Sequence, residues 1–323
     1  MGLQSLAWAF RGATLGRDCH NRGIARFDGF ASHSRSARMK ATALHRHWRR
    51  RMQDLPRALE SLARGCRRTG ATDQVHALRV SLRRLRLYAS AGRRLLPADA
   101  RAAFTDWART VARATSPVRD FDVAMEWLQA GPGASRAVAE CKTLRAQLWS
   151  TQRLQIPRPP RELRLLARPR RDRESARRLR RRVLKLTRRY AAALRLALPR
   201  FFELESEAQH ECRRTLRRWR YLHELGWKRL PAKPDPLLRQ LILAQEATGD
   251  RQNLELVAQA LTRIAPQAIT RTLQLRLRRE QARLRQRIEV ALGGMQKWLA
   301  EPPVGRGKGR AAAGSQAGLE RAA

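Results

Sequence analysis

Apolar residues recur along the chain at intervals of three and four. Leu44, Trp48, Met52, Leu55, Leu59 and Leu62 form one stripe, and Leu277, Leu284 and Ile288 form another. That period places them on one face of an α-helix, and the alternating β-branched runs that mark strands are absent. The chain therefore reads as all-α. Breaks at Gly70, Pro97, the Gly-Pro-Gly of 131–133, Pro199, the stretch from Pro231 to Pro236, and Pro266 divide it into about eight helices.

Outside 39–300 the periodicity fails. Residues 1–38 are expected to be a disordered leader, or an upstream extension ahead of a start at Met39. Residues 301–323 are expected to be a low-complexity, flexible basic tail. Within the periodic part, IPRPPRELRLLARPRR is crowded with proline and arginine, so 156–172 reads as a linker between two helical bundles, 39–155 and 173–300. An internal repeat supports that division. An offset of 134 carries His76, Arg79, Leu82, Arg83, Arg84 and Arg86 onto His210, Arg213, Leu216, Arg217, Arg218 and Arg220. The order of His, Leu and Arg matters more here than Arg alone, which matches easily in so Arg-rich a chain. The predicted architecture is a pair of four-helix bundles related by a pseudo-twofold axis through an internal duplication.

Charge changes this picture most. Lys and Arg number 69 against 27 Asp and Glu, a formal net charge of +42 that internal pairing cannot neutralise. Such an excess implies strong, salt-sensitive attraction to polyanions. Only seven of the cations are lysines, and a guanidinium fork grips two phosphate oxygens at once where an ammonium acts as a point charge. No apolar run is long enough for a membrane span. The four cysteines lack any metal-like spacing and read as reduced thiols of a cytoplasmic protein.

At about 100° per residue, His76, Arg79, Arg83 and Arg86 share one arc of roughly 80°, and Val75, Leu78, Leu82 and Leu85 fill the adjoining one. His210, Arg213, Arg217 and Arg220 repeat the basic stripe beside Cys212, Leu216 and Trp219. A basic run is ordinarily a solvated helix face. Two stripes of the same order, each beside the packing face, instead suit the walls of a cleft. Arg84, Arg119 and Arg218 are candidate additional anion contacts off the stripes. In SPVRDFDV, Asp120 and Asp122 are expected to pin arginines in fixed rotamers, because two carboxylates without a third ligand make a poor metal site. The second half offers Gln252, Asn253 and Glu255 against Arg119, Asp120 and Asp122.

The HxLRVxxRRLR pattern of 76–86, the RDFDV of 119–123 and the HxxRRxLRRWRY of 210–221 resemble the motifs of the CHAD family, an α-helical domain named for its histidines. The resemblance covers roughly 40–300. It implies two pseudo-twofold-related helical bundles around a basic groove that binds inorganic polyphosphate, and an association with polyphosphate granules in bacteria. It also implies that His76, Arg79, Arg83, Arg86, His210, Arg213, Arg217 and Arg220 contact the anion. Asn253 departs from the family's usual acid. Family members are often fused to a triphosphate-tunnel domain, but ELESE at 203–207 lacks the accompanying lysine and lies in a helical pattern. The expected function is non-enzymatic polyphosphate binding, with neither cofactor nor metal. The alternative is a non-specific nucleic-acid binder, against which stands the placement of Trp107, Trp127, Trp149 and Trp219 among apolar neighbours. An enzyme acting on phosphate chains would need an acid cluster or a Gly-rich phosphate loop, and the sequence offers neither.

Overall fold

The computed structural model describes residues 39–169, 172–227 and 234–300; the expectations for 1–38 and for the tail lie outside them. The described residues form eight α-helices and no strand. In the first half these are α1 (Ala41–Thr69), α2 (Thr72–Ala91), α3 (Ala98–Gln129) and α4 (Ser135–Gln152). The second half contains α5 (Arg173–Ala197), α6 (Ser206–Glu224), α7 (Pro236–Leu261) and α8 (Arg271–Ala300). Short 3-10 turns at Arg161–Ala167, Leu198–Glu203 and Pro266–Ala268 fill three of the connections.

The helix ends follow local chemistry. Gly70 takes a left-handed φ of 61° and returns its N–H to the Cys66 carbonyl, a conformation that strains any residue with a Cβ. Asp172 and Asp235 cap α5 and α7 by accepting from the Ser175 and Leu238 amides. Pro236 opens α7 at a position where a missing N–H costs nothing.

Between the halves, α1 packs on α5, α2 on α6 and α3 on α7. Two apolar cores result, and each draws on both halves. The larger joins Trp48, Leu78 and Leu85 to Leu186, Leu216 and Trp219. The smaller joins Phe121 and Cys141 to Val257 and Leu273. The bundles expected over 39–155 and 173–300 therefore share their cores.

The proline-rich connection is packed. Over 156–169 the buried side chains of Ile156, Leu163 and Leu166 lie in or against the larger core, and the Trp107 indole donates to the Pro157 carbonyl at 3.0 Å. The 3-10 turn explains why: three residues per turn puts Leu163 and Leu166 on one side and Arg161 and Arg164 on another. Leu163→Ala and Leu166→Ala are each expected to lower the unfolding free energy by about 2–5 kcal/mol in a urea titration. A solvated tether would tolerate both with little change.

Candidate anion-binding site

Helix α2 buries Val75, Leu78, Leu82 and Leu85, and α6 buries Cys212, Leu216 and Trp219. Because those residues face inward, the arc beside them is turned toward the neighbouring helices. There the two basic stripes approach each other. Arg83 of α2 faces Arg213 and Arg217 of α6, and Arg79 lies beside Arg83.

Each guanidinium in this cluster is held where it is poorly solvated. Arg79 donates from Nη1 to the Ala112 carbonyl at 2.9 Å and to Thr115 Oγ1 at 3.0 Å, and from Nη2 to Ser116 Oγ at 3.5 Å. Burial and then the charge of Arg83 push it down to about 10, partly opposed by Asp120. Arg217 is pushed down to about 9, first by burial and then by Arg83 and Arg213. Arg213 is depressed by burial and by Arg83. Its fork donates to Gln252 and lies over Gly249, where an added Cβ would sit 3.3 Å from Nη2. Arg83 is lowered by burial, while the neighbouring Tyr221 hydroxyl acts in the opposite sense. Among the described residues, no carboxylate lies within 4 Å of Arg79, Arg83, Arg213 or Arg217. Asp120 near Arg79 and Asp250 near Arg213 offset the burial and repulsion only in part, so four cations are gathered with less negative charge than would balance them.

The histidines flank the cluster. His76 is exposed, and burial, then Arg119 and Arg83, hold it below its ordinary value. His210 is half-buried and is lowered by burial and then by Arg214 and Arg213. It lines a cleft of about 290 Å³ with Arg213, Arg251 and Gln252. Arg86 is exposed at the far end of its stripe, near Arg109 and Arg218.

Other predicted residues are engaged elsewhere. Arg220 donates to Glu224 at 2.7 Å, and Arg84 donates to the same carboxylate at 3.1 Å from across the α2–α6 contact while stacking on Tyr221 at 5.0 Å. Arg218 pairs with Glu211 at 2.7 Å, and Arg119 reaches Glu126 at 3.6 Å. Asp120 and Asp122 part company, since residues two apart on a helix point to nearly opposite sides. Asp120 is half-buried beside Arg79, Arg263 and Arg119; burial raises its carboxyl and those cations lower it. Asp122 is buried and accepts from Arg145 at 2.5 Å and from Thr72 at 2.9 Å, which ties α4 and the start of α2 to α3. Its partner is a structural arginine outside the stripes.

Three contributors escaped the sequence reading. Thr115 and Ser116 hold Arg79, and Gly249 makes room for Arg213. The one available signal was the match of ATSP at 114–117 to ATGD at 247–250, which places a small residue opposite each arginine. Among the described residues no group of three or more His, Cys, Asp or Glu could hold a metal, and no helix is long and apolar enough to cross a membrane.

The model of the CHAD domain family matches residues 50–263. The chain belongs to the CHAD family. The crystal structure of the CHAD domain from the plant Ricinus communis superposes with a TM-score of 0.50 at 17% identity, covering 77% of this chain and 91% of that one. At that identity the likeness is one of fold. Among curated proteins none matches. In this CHAD domain the family stretch contains both stripes, the packed connection of 156–169 and all of α7, and ends before α8.

Proposed function

We propose that this CHAD domain binds inorganic polyphosphate at the α2–α6 crossing and does so without catalysis, associating with polyphosphate granules in the cytoplasm. The observation that carries the reading is the convergence of Arg79, Arg83, Arg213 and Arg217 without an acid within 4 Å among the described residues. A linear phosphate chain supplies closely spaced charge to successive guanidinium forks and makes no demand on base recognition. Nucleic acid in single-stranded form would want exposed aromatic platforms. Trp107, Trp149 and Trp219 are buried, and the Trp127 ring is covered by Arg276 at 4.0 Å.

The test is competition. Labelled long-chain polyphosphate bound to the full chain is expected to resist displacement by duplex DNA or single-stranded RNA at equal phosphate concentration and moderate salt. Displacement at comparable concentration would replace this reading with nucleic-acid binding.

Binding is also expected to take up protons. His76 and His210 titrate below their ordinary range in the free protein, and a bound polyanion stabilises the imidazolium and raises both. The bound state then holds more protons than the free one, so affinity should rise as pH falls from about 7.5 toward 5.5, the region of histidine titration. The pair His76→Gln and His210→Gln should flatten that profile; an unchanged slope in the variant would remove the histidines from the site.

A further inference from the structure

A second basic track lies on another part of the fold, between α1 and the strap of 156–169. Two clefts of about 770 and 670 Å³ meet there at Glu60 and Arg164, which line both. One wall is a stripe on α1: Arg49, Gln53, Arg57, Glu60, Arg64 and Arg68 follow one another at three or four residues, so they share one face of the helix. The other wall is the strap, where Arg161 and Arg164 stand three apart, the interval that aligns side chains along a 3-10 helix, with Arg158 before that helix and Arg168 after it also lining the clefts. From Arg49 to Arg68 the helix rises about 28 Å at 1.5 Å per residue. The groove is thus long and lined by guanidiniums on both sides.

Glu60 is the single carboxylate among its lining residues, and it is engaged by Arg164 at 3.1 Å. No aromatic residue lines either cleft, so nothing in the groove offers a base a surface to stack on. Its apolar lining is Pro56, Pro159, Pro160, Ala167 and Pro169. The fixed φ of proline and the burial of Leu163 and Leu166 keep the strap wall in place. None of the stripe residues of α2 and α6 lines it.

We propose that this groove is a second binding track for a linear phosphate chain, distinct from the α2–α6 crossing, so that one domain holds polyphosphate at two places. The inference rests on the polyphosphate reading above. Arg57, Arg64, Arg161 and Arg168 are exposed, so contacts here form with less exclusion of water than at the crossing. The second track is accordingly the weaker of the two and the more sensitive to salt. A long chain spanning both gains through effective concentration.

The test counts sites with inorganic tripolyphosphate, a chain too short to bridge the two tracks, titrated calorimetrically into the full-length protein at low salt. A groove variant, Arg57→Glu with Arg161→Glu, is compared with the stripe variant Arg83→Glu with Arg217→Glu and with a control, Arg278→Glu with Arg279→Glu, on the exposed side of α8. Helical signal and cooperative melting confirm that each variant is folded. The expected result is that the groove variant loses one bound tripolyphosphate and several-fold in long-chain affinity, the stripe variant loses the tighter one, and the control loses neither. Equal stoichiometry in the groove variant and the control overturns the second track and leaves the first. Wild-type binding retained by the stripe variant, with loss in the groove variant, overturns the reading of the crossing and leaves the groove.

Discussion

Reversal of Arg83 and Arg217 together to glutamate is expected to weaken long-chain polyphosphate binding by a hundred-fold or more, measured at fixed ionic strength. A charge-assisted contact that excludes water is worth about 1.5–3 kcal/mol, and two such contacts at the lower bound give about 3 kcal/mol, a little over two decades in affinity. Both residues face the centre of the crossing, where burial and neighbouring cations already depress them. The comparison that isolates position from net charge is Arg306→Glu with Arg310→Glu, which changes the formal charge equally in the basic tail sequence. That pair should lose only the long-range attraction, a few-fold and mostly at low salt. The stripe pair should also reduce the slope of affinity against salt, because fewer counterions are displaced. Equal losses from the two pairs in folded proteins would mean that net charge alone drives association.

The part of this site readable from the sequence is the part set by helical period. His76, Arg79 and Arg83 fall beside Val75, Leu78 and Leu82, and that adjacency decided that the arginines would border the core instead of facing open water. The all-α class and the helix breaks at Gly70, Pro97 and Pro266 follow from equally local patterns. What could not be read is which stripe member meets which partner from another element. Arg84 and Arg220 lie in the motif, yet Glu224 engages both, and the α2 side of that contact is 140 residues away in the chain. Asp122 is claimed by Arg145, from a helix with no motif of its own. The strap looked like a tether because proline and arginine dominate its composition; Leu163 and Leu166, three residues apart, carried the contrary signal, but only a 3-10 period makes them neighbours.

Replacement of Arg217 by methionine is expected to stabilise the free domain while weakening its hold on polyphosphate. Arg217 is pushed down to about 9 by burial, Arg83 and Arg213, so its charge is a liability to the empty fold. Methionine keeps an unbranched stem of similar reach against the core and removes that charge. Exchanging a poorly solvated ionic group for an apolar one can raise stability by about 1–4 kcal/mol; because Arg217 is only half-buried the lower part of that range is expected, read as an increase in the urea midpoint. The penalty comes from burial and from repulsion by Arg83 and Arg213, and guanidiniums stay charged across the ordinary pH range. The advantage of Arg217→Met should therefore persist across that range and shrink as added salt screens the repulsion. Saturating polyphosphate should reverse the order of melting temperatures, since the wild type gains more from a ligand it binds more tightly. A variant that is less stable than the wild type without ligand, and binds polyphosphate as well, would make Arg217 a packing residue and move the anion site off the crossing of α2 and α6.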